Sequence, residues 1–143
     1  MNIFTPAIKN DEGAQKRVRQ WARALRSGKY AQGNGYLRSK ADVDEFCCLG
    51  VACDLLDPTG WSSNYEGTSF YQHSHGSNEL LDSTGRLKLR LSKSGQQILT
   101  TLNDGRDEDW DTETGADIPA VPASDFKAIA RRIDHDLKER LAS

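Results

Sequence analysis

No run of apolar residues approaches the ~20 needed to cross a bilayer, which excludes a membrane-spanning helix on sequence grounds. The first residues, MNIFTPAIKNDEG, lack the apolar core of a secretory signal. Cysteine is scarce and odd in number: Cys47, Cys48 and Cys53. Two of the three are adjacent, and neighbouring cysteines rarely meet disulfide geometry. A disulfide scaffold is therefore excluded, and a reduced, cytoplasmic chain is the expectation. There is no phosphate-binding glycine loop, no dinucleotide fingerprint and no paired-carboxylate motif, so no cofactor is expected. Net charge is only -2 over 143 residues, which gives no overall pull toward nucleic acid or a membrane surface.

The distribution of charge says more than its sum. Residues 1–40 hold nine basic side chains against two acids. Residues 41–85 contain no lysine or arginine but eight acids. Residues 104–117 carry seven acids against Arg106. Such blocks complement one another within one fold or across a homodimer or larger homo-oligomer, or else form a solvated surface.

A chain of this length is one ordinary domain, large enough to bury roughly 70% of the surface its unfolded form exposes. The longest apolar run is EFCCLGVACDLLD, residues 45–57. Leu49, Ala52, Cys53 and Leu56 share a helical face there, so its second half predicts a helix over about 48–56. Phe46, Leu49, Val51, Leu55 and Leu56 each offer roughly 1.5–3 kcal/mol on full burial. The run reads as core rather than as chemistry. Before it, residues 1–10 read as an extended arm anchored by Ile3, Phe4 and Ile8, with Pro6 against an early helix.

The clearest helix is residues 11–27, with Ala14, Val18, Trp21, Ala22 and Leu25 on one stripe. Its opposite face carries Lys16, Arg19, Arg23 and Arg26, a basic stripe suited to phosphate or an acidic partner, or simply solvated. Tyr36 to Arg38 predicts a short strand after the Gly33-Asn34-Gly35 turn, paired with Glu45 to Cys48. Residues 61–83 are the least legible, with aromatics Trp61, Tyr65, Phe70 and Tyr71 and short strands expected near 69–72 and 79–81. Arg86 to Leu91 alternates basic residues with leucine, a strand pattern that points Leu87, Leu89 and Leu91 at the core. Ser94 and Gln97 form a capping box for a helix to about Leu102 that buries Ile98, Leu99 and Leu102. Residues 104–123 read as a long acidic loop. Ser124 then caps a last helix to about Leu141, with Phe126, Ile129, Ala130, Ile133, Leu137 and Leu141 apolar. The fold class expected is α+β: one domain, residues 1–143, with a small antiparallel sheet packed against three to four helices.

Three fragments together carry a resemblance: WARALRSGKY from Trp21 to Tyr30, CCLGVACDL from Cys47 to Leu55, and Leu102-Asn103-Asp104 ahead of Phe126-Lys127-Ala128-Ile129-Ala130. The chain resembles a group of small, mostly uncharacterised proteins of tailed phages and prophages. In that group a short turn joins the two parts of the third fragment. Here the acidic loop intervenes, and residues 61–90 are not covered. The resemblance implies a phage-encoded accessory protein made in the bacterial cytoplasm, acting against host defences by binding a host protein or sequestering a nucleotide signal. It transfers no activity.

Several chemistries compete for the polar and sulfur-bearing residues. A cysteine nucleophile needs a base, and His73, His75 and His135 stand in no known signature; buried hydrophobes are the competing role for the thiols. Cys47, Cys53, His73 and His75 form a conceivable zinc set, without the C-x2-C spacing of structural sites. Asp107, Asp109 and Asp111 resemble the start of a calcium loop, but Thr112 stands where glycine is required and Ile118 where glutamate is. No metal site is expected. Ligand-binding candidates are Tyr36 and Arg38, an aromatic platform beside a guanidinium, and Asp54, Asn103 and Asp104, polar groups set beside apolar runs; their alternative is to cap helices and fix turns. The leading expectation is a non-enzymatic binding protein. A cysteine- or zinc-dependent enzyme is the second reading, and a nucleic-acid binder using the basic first helix is the third.

Overall fold

The computed structural model describes residues 1–63 and 69–143; Tyr65, one of the aromatics noted in the sequence, lies outside them. Helix α1 spans Glu12–Arg26 and is started by Asp11, whose carboxylate accepts from the Ala14 N–H at 3.0 Å. The predicted stripe of Ala14, Val18, Trp21, Ala22 and Leu25 is buried. It packs against the last helix, α5, Phe126–Ala142, whose Phe126, Ile129, Ala130, Ile133 and Leu137 are buried in turn. Wedged beside this pair is α2, Cys48–Leu56. Trp21 ties α1 to it by donating from its indole N–H to the Cys48 carbonyl at 2.8 Å.

A three-stranded sheet leads into α2. Its strands are β1 Ala31–Gln32, β2 Arg38–Ser39 and β3 Glu45–Phe46, in the order β1-β3-β2. The β2–β3 pair is antiparallel and joins the two segments expected to pair, with Arg38 opposite Phe46, while β1 runs parallel to β3. After α2 come β4 Trp61–Ser62 and β5 Gln72–His73, an antiparallel pair. No strand forms at 79–81, where Leu81 makes only an isolated bridge to Gly76. The class is α+β, with helices dominant.

The segment read as an alternating strand is helical. Helix α3, Ser83–Leu89, starts at Asp82, whose side chain accepts from the Gly85 N–H at 2.8 Å. In a helix, Leu87 turns outward and is 57% exposed, while Leu89 is buried. Leu91 reaches the core only because Arg90 takes a left-handed conformation (φ 51°) that ends the helix. The three leucines thus serve two geometries, and their period of two is incidental. Leu55 also departs from expectation: it lies on the outer face of α2 and is exposed.

Helix α4, Lys93–Asp104, is capped by Ser92 rather than Ser94; the Ser92 hydroxyl accepts from the Gly95 N–H at 2.8 Å. Leu99 is fully buried, and Ile98 and Leu102 are partly so. Gly95 cannot carry a side chain, because a Cβ there would sit 2.1 Å from the Ile3 carbonyl. The N-terminal arm fills that space. Ile3 and Phe4 are buried, and Thr5 N–H donates to the Arg90 carbonyl while Ser92 N–H donates to that of Ile3. The arm is not extended throughout: Pro6–Asn10 forms a 3-10 helix with proline at its first turn, where the missing N–H costs nothing. Asp125, not Ser124, caps α5; Ser124 instead donates its N–H to the Leu102 carbonyl at 2.6 Å.

The acidic stretch before α5 has internal structure. Strands β6 Asp109–Trp110 and β7 Asp117–Ile118 pair antiparallel, and Arg106 bridges Val121 at the base of the hairpin. Among the described residues no helix is long and apolar enough to cross a membrane.

Candidate functional site

Asn103 and Asp104 stand at the end of α4, beside the start of α2. Asn103 is 1% exposed and fully bonded. Its carbonyl oxygen accepts from the Cys48 N–H and from Gln32 Nε2, both at 3.1 Å. Its amide donates to the Gly33 carbonyl at 2.9 Å and to Asp104 Oδ1 at 2.8 Å. Four bonds saturate the side chain, so Asn103 is a joint between β1, α2 and α4. Asp104 also accepts from the Gly35 N–H at 3.2 Å.

Next to this joint is a cleft of about 350 Å³, lined among others by Gly35, Cys47, Leu80, Thr100 and Asp104. Its charged side chains are Glu79 and Asp104, which repel phosphate. Cys47 caps α2, its sulfur accepting from the Gly50 N–H at 3.4 Å. Burial pushes the Cys47 thiol up to about 11 and the Cys48 and Cys53 thiols well above their ordinary values. All three are buried and free, and burial disfavours the thiolate that a nucleophile needs. The conceivable zinc set is not assembled. His73 accepts at Nδ1 from the His75 N–H (3.0 Å), which leaves Nε2 to donate to the Asp57 carbonyl (2.9 Å). Likewise Asp111 spends its carboxylate on its own turn, accepting from the Glu113 N–H at 2.8 Å. No cluster of metal-ligating side chains occurs among the described residues.

Arg38 and Asp54 belong to an aromatic cluster on another side of the sheet. The Arg38 guanidinium lies 5.0 Å from the Phe46 ring, 5.4 Å from Trp61 and 4.6 Å from Tyr71, and pairs with Asp44 at 2.9 Å. Asp54 accepts from the Tyr30 hydroxyl at 2.6 Å and from the Trp61 indole at 3.0 Å. Tyr30 is raised by burial and then by this carboxylate. Tyr36 stacks on Phe70, with centroids 4.6 Å apart and planes 6° from parallel. These candidates are therefore engaged with the protein itself. Tyr36 and Arg38 do not present one shared platform.

The basic face of α1 has a different fate. Arg19, Arg23 and Arg26 line a groove of about 410 Å³ whose opposite wall is α5, through Asp134, Leu137, Lys138 and Leu141. Lys16 is exposed on α1 but does not line it. Arg26 is paired with Asp134. Among the described residues, Arg19, Arg23 and Lys138 have no carboxylate partner. The α5 wall had a readable signal: 134, 137, 138 and 141 follow the i, i+3, i+4, i+7 pattern of a single helix face. What the sequence could not give is that this face lies beside the arginines.

A family model for a domain of unknown function, DUF8296, matches residues 14–137. The chain belongs to that family. The match takes in the cysteine run, the Asn103–Asp104 joint, the acidic hairpin and most of both groove helices, while leaving out the N-terminal arm, Lys138 and Leu141. Membership therefore reaches across residues 61–90, where the phage resemblance was silent. No curated protein and no solved structure matches the chain.

Proposed function

We propose that this chain is a binding protein rather than a catalyst, and that its α1–α5 groove holds the phosphates of a nucleotide. One observation carries the reading: two arginines and a lysine without carboxylate partners among the described residues converge on one groove, lined also by Leu137 and Leu141. Arginine forks bind phosphate oxygens bidentately, and Lys138 adds a point charge. Leu141, only partly buried, offers an apolar edge for a base or sugar, while Leu137 belongs to the core beneath. Buried, protonated thiols count against the cysteine-enzyme reading. The acidic hairpin and the near-neutral net charge favour a small ligand over a nucleic-acid strand.

The setting comes from the resemblance to phage and prophage proteins: an accessory protein of the bacterial cytoplasm that withholds a nucleotide signal from a host defence system. The groove is open to solvent, so its charges are screened and affinity falls with salt.

The test is a thermal-unfolding screen against linear and cyclic nucleotides, with inorganic phosphate as reference, on the wild-type chain and on an Arg19→Glu/Arg23→Glu variant. Ligand at about 100 times its Kd stabilises by about 2.7 kcal/mol, a rise of a few degrees for a domain of this size. The variant loses that rise. No shift with any nucleotide, or an equal shift in the variant, defeats the proposal.

A further inference from the structure

The β6–β7 hairpin makes almost no use of its own polar and aromatic groups toward the body of the protein. Between residues 107 and 117 it carries Asp107, Glu108, Asp109, Asp111, Glu113 and Asp117 with no basic residue. Among the described residues none of these six is in an ion pair. The side-chain hydrogen bonds of Asp109, Asp111 and Thr114 all close on the hairpin's own backbone. Trp110 is 64% exposed, and its indole N–H has no acceptor among the described residues. A two-stranded hairpin with strands of two residues is marginal by itself. An exposed tryptophan amid charge is the type of residue that anchors interfaces.

The complement of this arm is on the same chain. The α1–α5 groove offers Arg19, Arg23 and Lys138, which have no carboxylate partner among the described residues, beside Leu137 and Leu141. We infer that the β6–β7 hairpin of one copy docks in the α1–α5 groove of a second copy, its carboxylates against Arg19, Arg23 and Lys138 and its Trp110 over Leu141. This deepens the groove reading and rests on it only in that the groove accepts anionic groups; a second copy and a nucleotide then compete for the same cations. One hairpin in one groove is small beside the roughly 800 Å² per partner of a standard interface. The association is accordingly weak, concentration-dependent and weakened by salt.

Sedimentation equilibrium of the full chain over a concentration series, at low and high salt, reads the assembly. The average mass rises above the 15.9 kDa monomer with concentration at low salt and returns toward it at high salt. Trp110→Ala weakens association roughly tenfold or more, as truncating an interface anchor does. Complementation then tests the pairing between copies. Asp107→Lys/Glu108→Lys and Arg19→Glu/Arg23→Glu are each monomeric alone, and their mixture assembles, because the first keeps an intact groove and the second an intact hairpin. These positions are exposed, and their side chains make no hydrogen bond or ion pair among the described residues, so the fold tolerates them; circular dichroism checks this. A wild-type mass that stays monomeric at every low-salt concentration overturns the inference. So does association that survives Trp110→Ala and the lysine substitutions unchanged, or a mixture that fails to assemble. If no nucleotide binds while the mixture assembles, the docking stands and the nucleotide reading falls.

Discussion

The cleft beside the cysteine run and the groove between α1 and α5 are of similar size, about 350 Å³ and about 410 Å³. They differ in how their polar groups are used. In the cleft Asn103 makes four hydrogen bonds, Asp104 accepts two, and the thiols are buried and protonated. In the groove, Arg19, Arg23 and Lys138 are exposed and have no carboxylate partner among the described residues. The cleft lies against the most recognisable residues of the chain, and those residues hold the fold together. The groove lies against an ordinary amphipathic helix and retains capacity to bind. The sequence signature and the proposed binding site are thus in different places, because a residue whose hydrogen bonds are satisfied internally has little left for a ligand.

This contrast can be broken experimentally, and the largest effect is expected at the joint. Asn103→Ala strands the Cys48 N–H and the Gly33 carbonyl, while Gln32 keeps its bond to the Ser124 carbonyl. Each buried unsatisfied group costs about 1–3 kcal/mol, so urea denaturation should show a loss of about 4 kcal/mol. Asn103→Asp should not restore stability, since it replaces the donor to the Gly33 carbonyl with an acceptor beside Asp104. Close behind is Gly50→Ala, whose Cβ would fall 1.7 Å from the Leu37 carbonyl. The backbone must move, at a cost of about 3 kcal/mol, read in the same way.

Thiol labelling probes the same region in kinetic terms. With Cys47 raised to about 11, its thiolate fraction at pH 8 is about a hundredfold or more below that of a free thiol. Labelling of the native protein should therefore be slow and should accelerate on unfolding. Rapid labelling of Cys47 in the folded chain would reopen the enzyme reading.

A smaller effect is expected in acid. Burial opposes the charge of Asp136, yet bonds from His135, the Ile3 N–H and Arg132 outweigh it and hold its carboxyl below the usual value. A carboxyl depressed on folding stabilises the native state above its unfolded pKa, near 4, and loses that contribution as pH falls through the folded value. Asp136→Asn should flatten the acid limb of the stability–pH curve and loosen the N-terminal arm, which hydrogen exchange at Ile3 would report. The smallest change in stability, within about 0.5 kcal/mol, is expected for Arg19→Glu/Arg23→Glu, although that variant should lose the ligand.

Much of the fold was legible where one element buries one face. The stripes of α1 and α5 and the helix in the cysteine run follow from spacing, and Arg38 meets Phe46 across β2–β3. The misreadings share a cause. The Arg86–Leu91 alternation fits a strand, but Asp82 and Gly85 make a helix start, and Arg90 then reverses the chain. Ser92 and Asp125 displaced Ser94 and Ser124 as caps because the N–H groups of Gly95 and Ala128 came within their reach. Of the candidate site, the three arginines were readable from one helix. Their partner wall was not, since it depends on α1 and α5 lying side by side with about a hundred residues between them. Asn103 was marked as a polar residue near the core, but three of its four bonds come from segments 55 to 71 positions away, which no local pattern encodes.

The comparison is decided most directly by backbone amide chemical-shift mapping during titration with the nucleotide that gives the largest thermal shift. Perturbations are expected to concentrate around Arg19, Arg23, Arg26 and Lys138 and to be absent in Arg19→Glu/Arg23→Glu. Perturbations concentrated instead at Gly35, Cys47, Glu79 and Asp104 would contradict the groove reading and make the cleft the binding site.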